Sequence, residues 1–504
     1  MSINSLVKLP LPMLAAVALS MAASILHAGS NSPVAEGRVT VDFNQSRGAR
    51  LAVERVNNIS RLQTFAGQRD ADVAFYNEQG LHGEIYRVWV DSHTIRDPKD
   101  PQAGYDYSAI VDYLSDVSRL SDSLLVVMDT RVEVRDYDYT PEQIKPVVKR
   151  ILTDLKVRFP QIKYIEAFNE PDHNMVTAVK PEDLYDYYRP YYEAVNEINQ
   201  ELKPLVPLEV GGPSLTTYKE SWMNPFLDDY AADKSPDKRL DFISWHGYGK
   251  FTEGGPHTEG PRAYHFYKDD PSEVDNQREL LEAELRSRGI DDDIPGFITE
   301  TGIYPGPSFD HQDDPHADYL IQAAGVPSLL YWYMEQDHIV PFNWVLRHKS
   351  EERKDQLITR VGEDNPIPTG ILSPYGNSML MMSKLKEERV VADSSTLRNG
   401  RGVYAIASKD ETGAAVMLWN YQSTDSQAHA VTVDMKNLPK NLQGQKVRQR
   451  VFRIDAQTSN YWANPETAEL QQVSESVIEP ASSYSVPVDL TANALQLITL
   501  EPVK

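Results

Sequence analysis

Short apolar runs alternate with longer helical stretches from the N-terminal third of the chain to about residue 390. The runs are Arg38–Phe43, Ile85–Val90, Leu124–Met128, Tyr164–Phe168, Leu208–Gly211, Asp241–Trp245, Gly296–Thr299 and Ser328–Trp332. Strands that alternate with helices predict βαβ units and a parallel sheet. Eight such units can close on themselves. The pattern therefore predicts an α/β fold, a (β/α)8 TIM barrel over residues 35–390, with 38–43 as its first strand and 328–332 as its eighth. The helices carry their own signals. Thr140-Pro141-Glu142-Gln143 is a capping box with proline at the first helical position, followed by an apolar stripe of Ile144, Val148, Ile151 and Leu155. Leu184, Tyr188, Tyr191, Val195 and Ile198 form a second stripe, with a kink expected at Pro190.

The rhythm changes after Val390. Strand-like segments at Val403–Ala407, Ala414–Trp419, Ala430–Met435, Val447–Ile454 and Leu495–Leu500 are separated by turn signals such as Asp410–Gly413. This predicts a C-terminal antiparallel β-sandwich over 391–504. No Gly/Ser- or Pro-rich linker precedes it, so it should pack on the barrel.

Composition narrows the partners. The 504 residues carry a formal charge of −24, which disfavours nucleic acid and anionic membranes. There is no cysteine, so disulfides, thiolate catalysis and cysteine-bound zinc are excluded. Lys8, the apolar run Met13–Leu26 and Ala28 read as a signal peptide over 1–28, which implies a secreted or periplasmic protein with no membrane attachment after cleavage. Oligomeric state is not written in the sequence. Asp310, Asp313, Asp314 and Asp318 cluster in a loop, at spacings unlike those of an EF-hand calcium site, and read as a solvated acidic loop.

The chemistry lies at strand ends. Tyr164–Phe168 stops at Asn169-Glu170-Pro171, and Phe297-Ile-Thr-Glu300 stops at Thr301-Gly302. A barrel gathers strand ends on one face. Glu170 and Glu300 are thus the candidate pair for glycosidic hydrolysis, which needs two carboxyl groups flanking one carbon. Asn169, His246 and Tyr248 share that rim as sugar-binding candidates, and Trp332 would offer a stacking face at the end of the eighth strand. Arg87, counted with these substrate-binding candidates, is a charge inside an apolar run and needs a carboxylate partner. No metal or organic cofactor is required.

These residues resemble the clan A glycoside hydrolases, and within them glycoside hydrolase family 39, which contains β-xylosidases and α-L-iduronidases. The resemblance rests on Asn169-Glu170, Ile298-Thr-Glu300, Val210-Gly-Gly-Pro213, Asp241-Phe-Ile-Ser-Trp-His246, Pro374–Leu385, and Arg453-Ile-Asp455 with Ser459-Asn460. It implies a retaining hydrolase acting on an extracellular oligo- or polysaccharide, with Glu170 as acid/base and Glu300 as nucleophile. The carboxyl groups should then lie about 5–5.5 Å apart. Glu300 should be ionised beside Tyr248 and Arg87, and Glu170 protonated, its pKa raised by that negative charge. The chain departs from the family at Trp89, where a histidine is expected, and at Phe168, where a tryptophan often stands. Both departures bear on the substrate. They leave room for an agarase- or porphyranase-type activity on algal polysaccharide. A carbohydrate-binding protein on an inactive barrel is the alternative from another class, and the presence of both glutamates with Asn169 argues against it.

Overall fold

In the computed structural model, described for residues 34–59, 73–248, 270–302, 320–344, 346, 357 and 371–503 apart from 75–76, 101, 103, 423–426 and 462, the chain forms a closed barrel and a nine-stranded sheet. The segment 1–28, the loops 249–261 and 305–315, and Asp310, Asp313, Asp314 and Asp318 lie outside the described residues. No helix among the described residues is long and apolar enough to cross a membrane.

The first strand, β1 (Ala35–Ala49), is not part of the barrel, which corrects the sequence reading of 38–43. Val39, Val41 and Phe43 are buried while their neighbours are half-exposed or exposed. That alternation belongs to a sheet with one covered face, whereas barrel strands are covered on both. The barrel is built from β2 (Val56–Asn58), β3 (Gly83–Asp91), β4 (Ser121–Asp129), β5 (Ile162–Ala167), β6 (Glu209–Leu215), β7 (Phe242–His246), β8 (Gly296–Thr301) and β9 (Ile339–Asn343), all parallel and in sequence order. Its first strand is only Val-Asn-Asn, too short and polar to stand out in the sequence.

The run 328–332 is likewise corrected: it lies in the helix Ile321–Met334, and the eighth barrel strand is β9. That helix is buried around most of its circumference, so it has no polar face to reveal its period. A short continuous apolar run cannot be told from a buried strand by periodicity alone. The helix Pro141–Arg158 follows the reading, with its capping box formed and Ile144, Val148, Ile151 and Leu155 buried. Pro190 lies inside the helix Leu184–Leu202 without ending it.

The lower barrel is filled by a mainly apolar plug that includes Val56, Ile85, Leu125, Phe242, Phe297 and Phe342. Phe242 and Phe297 stack with centroids 4.5 Å apart, and Tyr164 meets both edge-on.

The remaining strands are β10 (Glu388–Ser394), β11 (Gly402–Asp410), β12 (Gly413–Tyr421), β13 (His429–Lys436), β14 (Val447–Ile454), β15 (Gln471–Ile478), β16 (Ser483–Leu490) and β17 (Leu495–Pro502). With β1 they make one sheet in the order β15-β14-β17-β12-β11-β10-β1-β13-β16, antiparallel except for the pair β1–β13. The sheet curls over its own core. Period two divides β11 between two cores: Val403, Ala405 and Ala407 face the sheet's interior, while Tyr404 and Ile406 join the core of the barrel's helices. Trp419 Nε1 donates to Ser328 Oγ at 2.8 Å across the same junction. Barrel and sheet therefore share buried surface, and residues 33–504 form one compact unit.

Candidate active site

The two glutamates reach the barrel mouth by irregular backbone. After β5 the chain passes through Phe168 (φ 72°) and Glu170 (φ 53°), both left-handed, a conformation that costs non-glycine residues energy. The reversal is held by Glu170 N, which donates to Ser214 O at 2.8 Å. Pro171 then opens the short helix Pro171–Asn174. Glu300 sits where the register of β8 shifts against both β7 and β9. Such bulges re-aim side chains beside active sites.

Arg87, on β3, is fully buried below the mouth. Its Nε donates to Glu166 Oε2 at 2.6 Å. Nη1 donates to Glu300 Oε1 at 2.7 Å and Asn58 Oδ1 at 3.1 Å, and Nη2 to Asn169 Oδ1 at 2.8 Å and Ser214 Oγ at 3.3 Å. A guanidinium has five N–H donors, and all are engaged. Arg87 thus holds the acidic and amide groups in place and has no donor left for a sugar. This revises its reading as a substrate contact. Its carboxylate partner, anticipated from the sequence, is double: Glu166 and Glu300. Their charges outweigh the burial that disfavours a cation, so the guanidinium is held more firmly protonated than usual.

Above Arg87 lie Glu170, His246 and Glu300. Each offers an atom within 4.8 Å of those of the others. His246 Nδ1 is 3.2 Å from Glu170 Oε1 and 3.6 Å from Glu300 Oε2, and its Nε2 is 3.3 Å from Ser214 Oγ. The Tyr248 hydroxyl donates to Glu300 Oε2 at 2.8 Å. Asn174 Nδ2 donates to Glu170 Oε2 at 3.4 Å. Burial pushes the Glu170 carboxyl up, but the hydrogen bond and charge of His246, with His173 and Arg87, bring it below its ordinary value. Burial pulls His246 down, but the charges of Glu300 and Glu170 raise it above its ordinary value. The expectation that Glu170 would be raised by Glu300 is therefore corrected, because the contact with His246 at 3.2 Å, with His173 and Arg87, outweighs burial. Both shifts favour the proton on His246 over Glu170.

The trio could present ligand atoms to a metal ion. A dication there would face Arg87, and both oxygens of Glu300 already accept hydrogen bonds. The donor set suits proton transfer better.

Six of the seven residues singled out from the sequence thus converge: Arg87, Asn169, Glu170, His246, Tyr248 and Glu300. Trp332 does not. It lies on the helix Ile321–Met334, and its Nε1 donates to Tyr404 OH of β11 at 3.0 Å. The tryptophan that follows the eighth strand is Trp344, edge-on to Trp89 at 5.7 Å and to Tyr248 at 6.4 Å. The run Ile339–Phe342 ahead of it was the missed signal. Glu166 was missed too, although it is a charge inside an apolar run just as Arg87 is. Trp89 lies under the mouth with Arg87 stacked 4.5 Å from its ring centre. Phe168 turns away from the mouth and packs edge-on to Tyr191 at 5.4 Å, so it has no place in sugar recognition.

Residues 133–474 match the family Glycosyl hydrolases family 39. No curated protein sequence matches the chain. Among solved structures, the bacterial orthologue of human α-L-iduronidase aligns over 93% of this chain and 84% of its own, with TM-score 0.68 and 15% identity. The family 39 enzyme of Xanthomonas axonopodis pv. citri covers 95% and 100%, with TM-score 0.67 and 15% identity. A monomeric β-xylosidase from Caulobacter crescentus covers 93% and 100%, with TM-score 0.65 and 14% identity. At these identities the structural likeness concerns the fold.

Proposed function

The chain belongs to glycoside hydrolase family 39 and is an O-glycosyl hydrolase, and from that premise we propose that it is an exported, retaining enzyme that cleaves an extracellular oligo- or polysaccharide with Glu300 as nucleophile and Glu170 as acid/base. The observation that carries this reading is how near the pair comes, one carboxylate oxygen of Glu170 lying within 4.8 Å of one of Glu300. Retaining pairs are about 5–5.5 Å apart, and inverting pairs roughly 6.5–9.5 Å, to admit a water. Export rests on the signal-like segment 1–28.

The steps follow from the geometry. A sugar bound over Glu300 strips water from the trio. Loss of water disfavours the ion pair Glu170–His246 relative to the neutral pair, so the proton moves across their 3.2 Å contact to Glu170. Glu300 attacks the anomeric carbon while the leaving oxygen takes the proton from Glu170 and the glycosidic bond breaks. The product is a neutral glycosyl ester on Glu300. Water then attacks the same carbon, gives its proton to Glu170 and releases Glu300 as a carboxylate.

The test is NMR of the first-formed anomer together with Glu300→Ala. Retention is expected in the wild type. The variant should lose roughly 10⁴- to 10⁶-fold in kcat, and azide should restore turnover with an inverted glycosyl azide product. Inversion by the wild type, or near-normal turnover by the variant, would sink the assignment.

A further inference from the structure

The reaction just described removes a charge from the barrel. When Glu300 becomes an ester, Arg87 loses one of its two carboxylate partners. Arg87 is fully buried, and an unpaired buried cation is strongly unfavourable. Glu166 is the other partner. It is also fully buried, as Arg87 is. Its Oε2 accepts from Arg87 Nε at 2.6 Å, and its Oε1 has no hydrogen-bond partner among the described residues.

Resting on the two-glutamate reading, we propose that Glu166 is a positioning residue that serves as the permanent counter-ion of Arg87 through the catalytic cycle. With it, the group Arg87, Glu166 and Glu300 goes from a net −1 to neutral as the ester forms. Without it, the group would go from neutral to a buried +1. Glu166 therefore stabilises the glycosyl-enzyme relative to the free enzyme. It also divides the pull of Arg87, which would otherwise fall on Glu300 alone and weaken it as a nucleophile. A structural reading is simpler: Glu166 only fixes the place of Arg87. The two readings differ in sign. If Glu166 only places Arg87, its loss lets the guanidinium move and withdraws positive charge from Glu300. If Glu166 shares Arg87, its loss exposes Glu300 to more positive charge. The other charged and titratable groups facing Glu300 are His246 and Glu170 beside it and Tyr248 at 2.8 Å, and none is altered by a change at Glu166.

The experiment uses the full-length enzyme and compares Glu166→Gln and Glu166→Asp on an aryl glycoside that the wild type turns over. Glu166→Gln keeps an oxygen for Arg87 Nε and removes only the charge. It should lower kcat about 100-fold, with KM changed far less. The acid limb of its kcat/KM profile should move to lower pH, and kcat should become steeply dependent on the leaving group, because formation of the ester is now slow. Glu166→Asp keeps the charge and should restore most of kcat and the wild-type acid limb. It also supplies the reading if Glu166→Gln does not fold. An acid limb that moves to higher pH in Glu166→Gln, an unchanged kcat, or a Glu166→Asp enzyme as poor as Glu166→Gln would overturn the proposal. Such a result with Glu300→Ala still inactive would leave the two-glutamate reading standing, whereas an active Glu300→Ala would remove both.

Discussion

The barrel interior has two layers made from the same strands, and they do opposite things. Along β2, β3, β5 and β7, a step of two residues toward the mouth exchanges an apolar or aromatic side chain for a polar one: Val56 for Asn58, Ile85 for Arg87, Tyr164 for Glu166, Phe242 for Ser244. Side chains two apart on a strand share a face. The lower layer is a close-packed plug with stacked phenylalanines. The upper layer is a buried ionic network joined through Arg87. Burying charge is costly where packing alone would suffice. The plug gives the barrel its stability, and the ionic layer uses some of that stability to hold carboxylates at a fixed distance.

The contrast can be broken most forcefully from the upper layer. Glu170→Ala removes the acid without touching the plug. It should lower turnover of a natural substrate by about 10²–10⁴-fold, yet leave substrates with good leaving groups much less affected, since their oxygen needs no proton. The thermal midpoint should stay near that of the wild type, because the Glu170 side chain is partly open to solvent. Steady-state rates on paired aryl glycosides of high and low leaving-group pKa check this. Equal losses on both would mean that Glu170 does not act as the acid.

Phe297→Ala attacks the lower layer three residues before Glu300 on β8. It opens a cavity under Tyr164, Phe242 and Phe342, and should destabilise the fold by about 3–5 kcal/mol. The five hydrogen bonds of Arg87 remain, so kcat measured well below the new midpoint should fall by less than about tenfold. Calorimetry and kinetics on one preparation decide it. A variant that kept its midpoint and lost activity would erase the division of labour between the layers.

Much of this was legible in the sequence, and the losses have physical causes. β3 to β8 were found because barrel strands are short and apolar and end on polar groups. The first strand was lost because Val56–Asn58 is three residues long, and β1 took its place because its alternation is that of any amphipathic strand. Trp332 was misplaced because a buried helix and a buried strand look alike over five residues. The same apolar camouflage hid Trp344 behind Ile339–Phe342. Glu170 and Glu300 were readable because each ends a strand. The place of the proton was not, because it depends on how near His246 comes to both, and three strand ends far apart in sequence decide that.

The smallest effect expected is on stability against pH, and it separates a layer that titrates from one that cannot. His246 is raised in the folded protein, chiefly because the charges of Glu300 and Glu170 outweigh burial. A group raised on folding binds more protons in the native state than in the unfolded one between its two pKa values. Its contribution is therefore complete below its unfolded value of about 6.5 and is lost as pH rises through the folded value. Glu170 is lowered, so its contribution is present above its ordinary value of 4.5 and is lost as pH falls. The pair together favours the folded state most between those limits. Urea midpoints followed from pH 5 upward should fall above about 6.5 more steeply in the wild type than in His246→Gln. The difference between the two curves cancels the remaining histidines, including His429, which burial lowers and which therefore tilts stability the other way. Phe297→Ala should displace the whole wild-type curve downward without altering its slope. Parallel curves for the wild type and His246→Gln through that window would show that the ionic layer does not couple its proton to folding, and that the proton does not rest on His246 in the free enzyme.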